Sequence, residues 1–358
     1  MSAGFHTLTV ADLIDETAEA RSIRFAVPEA LRETYKFKPG QHLTLKAEIQ
    51  GEDVRRNYSL CVAPQDGTLT VTVKRIAGGL FSNWANDNLK IGDALEVMPP
   101  HGSFTWDFVS DAASHYVGFA GGSGITPVMS LLKSALLSEP GSRFTLFYGN
   151  RDSQSVIFLE ALAELKNRFM DRLEVHHFLA EEFEDIDLFN GMLDRAKCDE
   201  ILETLVEPAA AAAFFICGPG PMMDAAEEAL LARGIDRNRI HIERFTAGRT
   251  SAMAEAQMEA LSKDAAGLSM TVTLDGRTRR VPFDAVAGNI LDSARAAGLP
   301  APYACKAGVC ATCRARVIEG EVEMAARYGL TDEEVAAGYV LTCQSVPKGA
   351  GVVLDYDA

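Results

Sequence analysis

Three of the chain's seven cysteines fall within YACKAGVCATC (303–313), as Cys305, Cys310 and Cys313, and a fourth, Cys343, follows in GYVLTCQSVP. The spacing is C-x4-C-x2-C, then a gap of 29 residues to the last thiol. A tight loop on one side and a distant residue closing the other oblige the C-terminal part of the chain to fold around a point. The spacing is that of [2Fe–2S] ligation, in which two irons and two sulfides need four thiolates arriving from different directions. Ala304, Ala307, Gly308, Ala311 and Thr312 are small enough for backbone N–H groups to turn toward sulfur. Four thiolates also suit tetrahedral Zn²⁺, but zinc sites usually pair two short knuckles, and Cys343 has no cysteine nearby. Cys61 and Cys198 read as ordinary small residues.

Clustered thiols suggest metal where cysteines stay reduced. The N-terminus MSAGFHTLTVADLIDET lacks a basic region, an apolar stretch and a cleavage site, so a cytoplasmic protein is expected. No apolar run approaches the roughly 18 residues of a membrane helix, so no membrane insertion is expected. The formal net charge of −16 argues against nucleic-acid or anionic-membrane partners. Between Asp152 and Glu207 stand 15 acids and 5 bases. A stretch such as AEEFEDIDLF is a solvated surface before it is a docking face for a basic partner.

Three rhythms divide the chain. Residues 1–110 alternate apolar and polar with period two (HTLTVADLI, SIRFAV, HLTLKAEI, TLTVTVKRI), broken by Gly and Pro, which predicts an antiparallel β-barrel. Residues 111–246 alternate strands with helices, as in HYVGFAGGSGITPVMSLLKSALL and AFFICGPGPMMDAAEEALLARG, which predicts an α/β domain on a parallel sheet. Residues 247–267 are small and polar and read as a linker, part of which (AMAEAQMEALSK) can form a short helix. Residues 268–358 open on two strands around an Asp-Gly turn and hold the cysteines. This block resembles a plant-type ferredoxin, which implies an α+β, β-grasp domain carrying one electron at low potential.

RRNYSLCVAP (55–64) places R-x-Y-S on a barrel strand. Arg56 can neutralise a diphosphate, Tyr58 offers a flat face to a ring system and Ser59 can hydrogen-bond a ring nitrogen. Further on, VKRIAGGLFSNW sets Gly78 and Gly79 before Ser82, a glycine turn opening a helix and suited to phosphate. Together the two motifs resemble the ferredoxin–NADP reductase superfamily. The resemblance implies that Arg56, Asn57, Tyr58 and Ser59 hold the flavin ring and phosphate. It also implies that Val73, Lys74 and Arg75 line the ribityl and adenine side, that Gly79, Leu80, Phe81 and Ser82 bind pyrophosphate, and that the flavin is FAD rather than FMN.

AGGSGITPVMS follows a strand and opens a helix, but it is not G-x-G-x-x-G. In the same superfamily G-G-x-G-I-T-P is the pyridine-nucleotide loop, which implies roles for Gly122, Gly124 and Thr126 at the pyrophosphate. CGPGPMM resembles the second nucleotide loop, with Cys217, Gly218, Pro219 and Met222, and Cys217 beside the nicotinamide. Tyr58, Ser59 and Cys217 are the expected catalytic set. In YGNRDSQS, Arg151, aided by Ser153 or Ser155, can pair with the 2′-phosphate of NADPH, the expected coenzyme. Asp152 alongside keeps NADH open. Phe245 in ERF stands where relatives place an aromatic on the flavin, although here the chain continues past it.

A hydride donor supplies two electrons and a cluster accepts one, and a flavin between them converts one into the other. Across nearly the whole length FHTLTV, FKPGQHLTLKA, LEVMPPHG, FTLFYGNR, FICGP, IHIERF, PYACKAGVCATC and GYVLTCQ resemble the reductase components of bacterial phenylacetyl-CoA epoxidases. That family implies electron flow from NADPH through FAD and [2Fe–2S] to the di-iron oxygenase component of a multicomponent monooxygenase. Two alternatives stand beside it. One is a reductase of the same make-up serving a Rieske or di-iron hydroxylase or a hybrid-cluster protein. The other is a zinc-stapled nucleotide-binding adaptor without activity.

Overall fold

The computed structural model describes residues 4–183, 185–245 and 252–358. They divide into two compact units, one holding the barrel and the parallel-sheet domain up to Glu243, the other with its body in the C-terminal part of the chain. The three expected architectures are all present.

The barrel is built from β1 (His6–Thr17), β2 (Ala20–Ala26), β3 (His42–Ile49), β4 (Glu52–Ser59), β5 (Leu69–Lys74) and β6 (Ala94–Val97), with helix α1 (Leu80–Asn88) before the last strand. Its sheet order is β4-β3-β6-β1-β2-β5, and the two ends meet through a bridge between Leu60 and Val71. Alternation decides which side chains enter: Leu8, Val10, Ile23, Leu43, Leu45, Val71, Val73 and Val97 fill the interior with Phe81 and Ala85 of α1. Irregular pairing after Val10 and Asp15 bends the long β1 around this core.

The same unit continues as β7 (His115–Gly121), α2 (Ile125–Ser138), β8 (Arg143–Asn150), α3 (Leu159–Arg168), β9 (Leu173–Leu179), α4 (Arg195–Thr204), β10 (Ala213–Cys217), α5 (Gly220–Ala232) and β11 (Ile240–Glu243). The five strands are parallel in the order β11-β10-β7-β8-β9. One core cluster packs α2 and α3 on one face and another packs α4 and α5 on the other, so β7 and β10 are buried along their whole length. The first strand thus has the second on one side and the fourth on the other, and the loops after β7 and β10 diverge at a switch point, where open α/β sheets bind ligands. Glu139, just past α2, is fully buried and accepts hydrogen bonds from Val109 N (2.8 Å), Tyr116 Oη (3.0 Å) and Ser142 Oγ (2.6 Å). It ties the strap leaving the barrel to the sheet.

The C-terminal unit comprises α6 (Ala252–Asp264), β12 (Ser269–Leu274), β13 (Arg277–Pro282), α7 (Ile290–Ala296), β14 (Arg314–Glu319), β15 (Val322–Met324), α8 (Asp332–Ala336), β16 (Tyr339–Leu341), β17 (Ser345–Pro347) and β18 (Val352–Asp355). The main sheet runs β13-β12-β18-β14-β16, with β12 and β18 parallel and α7 laid over it through Ile290, Leu291 and Ala294. Asp275 and Gly276 both have positive φ in the predicted hairpin turn. Residues 247–251 of the expected linker lie outside the described residues. From Met258 onward the linker reading is corrected: Met258, Leu261 and Ala265 join the core of this domain, and Ser262 Oγ donates to Ala285 O at 2.8 Å. A composition of small residues with few large apolar ones conceals this stripe at helical spacing.

Candidate functional site

On the barrel, β4 carries the R-x-Y-S residues. Arg56 Nη1 donates to the neighbouring Arg55 O at 2.7 Å, and Asn57 follows it on the same strand. Tyr58 is half-buried, its ring 5.5 Å from that of Phe81. Ser59 is buried, and its Oγ has no hydrogen-bond partner among the described residues. A buried hydroxyl without a partner is destabilising unless a ligand supplies one, so this atom fits a flavin polar edge. At the start of α1 a Cβ on Gly79 would stand 2.4 Å from Ser82 Oγ and 3.1 Å from Ile76 O. A side chain there would displace the Ser82 hydroxyl and crowd Ile76 O, and the first N–H groups of the helix have no side-chain cap. Beside it Gly78, Gly79, Leu80 and Trp84 border a pocket of about 450 Å³. Val73 and Phe81 are buried in the barrel core, so they can offer a ligand only backbone. Arg75 Nη2 is paired with Asp87 of α1 at 2.6 Å.

Across the switch point the turns after β7 and β10 interlock. A Cβ on Gly124 would lie 2.0 Å from Cys217 O, and one on Gly218 would meet Gly121 N at 2.9 Å and Met222 Cε at 2.7 Å. Gly122 has φ +50°. Thr126 is buried, and its hydroxyl donates to Ser123 O at 3.0 Å, which holds the turn in shape. The carboxyl ends of the strands border a groove of about 770 Å³, with Lys74, Gly122, Arg151, Pro219 and Met222 among its walls. Cys217 is fully buried, and burial, with Glu243 adding to it, pushes its thiol far up, so it stays protonated. Arg151 Nε is 2.8 Å from Asp152 Oδ2. Asp152 also caps the turn that follows, accepting from Ser155 N at 2.8 Å, so its carboxylate is spoken for. Phe245, after β11, is 39% exposed.

Sequence reasoning missed a group beside Cys217. Glu243, its register partner on β11, lies 3.8 Å from His42 Nδ1, and the ring of His42 meets that of His101 at 4.2 Å. Burial, then His101, holds His42 well below the usual imidazole range. The only signal was an acid at a strand end in IHIERF.

In the C-terminal unit the four thiols stand as two neighbouring pairs, Cys305 with Cys310 and Cys313 with Cys343. Among the described residues no three His, Cys, Asp or Glu side chains are gathered to hold one metal ion. Two pairs fit two irons, each taking two thiolates. Ala307 N donates to Cys305 Sγ at 3.3 Å. To present such N–H groups the loop adopts positive φ at Lys306, Gly308 and Ala311. The distant member is latched by protein groups, since Thr342 donates to Cys313 O from both N (3.2 Å) and Oγ1 (2.8 Å), and Tyr356 Oη donates to Thr342 Oγ1 at 2.8 Å.

The chain matches the oxidoreductase FAD-binding domain over residues 7–106, the oxidoreductase NAD-binding domain over 119–228 and the 2Fe-2S iron-sulfur cluster binding domain over 272–348. It belongs to the ferredoxin–NADP reductase superfamily, in the branch with a C-terminal plant-type [2Fe–2S] domain, and is an NAD(P)H-dependent electron-transfer oxidoreductase. Within that class it is 44% identical to a component of the 1,2-phenylacetyl-CoA epoxidase of Escherichia coli, over 99% of this chain and 98% of that one. It is 38% identical to the ferredoxin reductase component of the 3-ketosteroid-9-alpha-monooxygenase of Mycobacterium tuberculosis, over 98% and 95%. Among solved structures it resembles phthalate dioxygenase reductase (TM-score 0.58, 25% identity, 98% of both chains). It also resembles an intact type IV self-sufficient cytochrome P450 monooxygenase (TM-score 0.71, 25% identity), covering 98% of this chain but 41% of that one. FAD, NAD(P)H and [2Fe–2S] are the cofactors of this domain set. No helix among the described residues is long and apolar enough to cross a membrane.

Proposed function

We propose that the chain is the reductase of a phenylacetyl-CoA epoxidase system, passing electrons from NADPH to its di-iron oxygenase component. The observation that carries this is the end-to-end identity to the E. coli protein. When bound, FAD takes electrons in pairs from the coenzyme and gives them singly to the cluster. The chain's part is to bind and orient. In this reading Arg56, Asn57, Tyr58 and Ser59 hold the flavin ring and its phosphate, with Ser59 Oγ supplying the hydrogen bond it otherwise lacks. Backbone of Val73, with Lys74 and Arg75, flanks the ribityl and adenine side. The turn from Gly79 through Leu80 and Phe81 to Ser82 takes pyrophosphate. Gly122, Gly124, Thr126, Gly218, Pro219 and Met222 shape the coenzyme groove, and Cys217 brings its backbone to the nicotinamide with its neutral thiol buried behind it. Arg151 faces the adenosine 2′-phosphate, Phe245 the flavin, and Cys305, Cys310, Cys313 and Cys343 hold the irons.

Anaerobic titration with NADPH tests the relay, with an expected uptake of about three electrons, two on flavin and one on the cluster. The acceptor is tested by adding purified oxygenase components. Epoxidation of phenylacetyl-CoA at a rate well above that of ketosteroid hydroxylation supports the proposal. The second reading, a reductase for another oxygenase, is favoured by the 38% identity to the ketosteroid system and predicts the reverse ranking.

A further inference from the structure

The Arg151 edge of the groove already holds an anion, and the chain supplies it. Parallel pairing continues beyond β8 and β9, with Ala180 N donating to Asn150 O (3.0 Å) and Glu181 N to Arg151 O (2.8 Å). That register lays the two acids after β9 beside the short turn Ser153–Ser155. Glu182 Oε1 there accepts from both Ser153 N (2.9 Å) and Ser153 Oγ (3.0 Å). Glu181 Oε2 lies 4.0 Å from Arg151 Nε. A backbone N–H and a hydroxyl converging on one oxygen anion is the way a phosphate oxygen is held, and Arg151, whose guanidinium faces Asp152 and Glu181, stands two residues before Ser153. Asp152 is committed to capping the turn and to Arg151, and Glu181 stands off from Arg151 at 4.0 Å, so of the three acids Glu182 is the one seated on the Ser153 donors a ligand would use.

We propose that Glu182 is the residue that sets coenzyme discrimination: its carboxylate sits in the seat of the adenosine 2′-phosphate, NADPH binds by displacing it, and NADH binds without doing so. This rests on reading the groove as the coenzyme site with Arg151 at its adenosine end. Removing the carboxylate frees the Ser153 donors and takes one negative charge away from an incoming phosphate. Glutamine separates the charge from the hydrogen bond, and alanine removes both.

The test is calorimetric titration of the full-length holoprotein, wild type, Glu182→Gln and Glu182→Ala, with adenosine 2′,5′-bisphosphate and with AMP. The bisphosphate is expected to bind about fivefold tighter or more in the variants, with AMP within about twofold of wild type. The ratio of kcat/KM for NADPH over NADH rises by the same factor. Unchanged or weaker bisphosphate binding, or an equal change for both ligands, overturns the proposal. A wild type that prefers NADH overturns the choice of NADPH but leaves the Glu182 expectation standing. Failure of both ligands to bind the wild type and the variants overturns both.

Discussion

Replacing Gly124 by alanine probes how tightly the nucleotide turns depend on one another. The added Cβ would lie 2.0 Å from Cys217 O, 2.4 Å from Cys217 C and 2.7 Å from Gly218 N, where ordinary contact begins at 3.4 Å. Every opposing atom is backbone, so no side chain can swing aside. The two turns must therefore part by about 1.4 Å at their closest point. Overpacking of this kind costs about 1–3 kcal/mol, and a displacement of about 1 Å at a reacting centre lowers a rate by about 100-fold. In stopped-flow measurements flavin reduction by NADPH should slow by about that factor, while dithionite should reduce the cluster at the wild-type rate. Gly220→Ala is the control, because among the described residues nothing lies within 4 Å of its added Cβ. A Gly124→Ala variant reducing its flavin within about threefold of wild type, or one indistinguishable from Gly220→Ala, would refute the reasoning.

Ser59→Ala should leave the thermal midpoint of the flavin-free protein unchanged or higher and weaken FAD binding by about five- to tenfold, as titration of that protein would read; a lower midpoint with unchanged affinity contradicts the ligand role. Cys343→Ser should abolish the visible cluster bands yet keep flavin reduction by coenzyme, checked by absorption spectra and an iron assay. Glu139→Ala strips three donors of a buried acceptor and should lower stability by about 3 kcal/mol or more in urea unfolding. Burial lowers His115 to about 4, so between there and its ordinary value near 6.5 the unfolded chain binds the extra proton. Stability should therefore fall as pH drops through that window, and His115→Gln should flatten the slope.

What could be seen in the sequence is what chemistry or periodicity imposes locally. The cluster spacing is dictated by two irons, the barrel strands by alternation, and the glycines by turns that admit no side chain. What escaped depends on neighbours far along the chain. Nothing in IHIERF or KPGQHL announces that Glu243 and His42 meet, and nothing in YGNRDSQS shows that Glu182 lies on Ser153. The roles implied for side chains at Val73 and Phe81 are narrowed to backbone, because inward-facing strand and helix positions look the same in sequence whether they face ligand or core. The helix over 252–264 was legible as a helix, but its attachment to the C-terminal domain was not, since Met258, Leu261 and Ala265 are too few to declare a face.

The latch of Thr342 onto Cys313 bears on how the holoprotein is assembled. It is made of backbone, hydroxyl and phenol groups alone, so protein hydrogen bonds as well as the cluster hold the distant cysteine beside its partner. The strands β14 and β16 that flank Cys313 and Cys343 pair with each other, so the sheet shares the entropic cost of closing the 29-residue gap between these thiols.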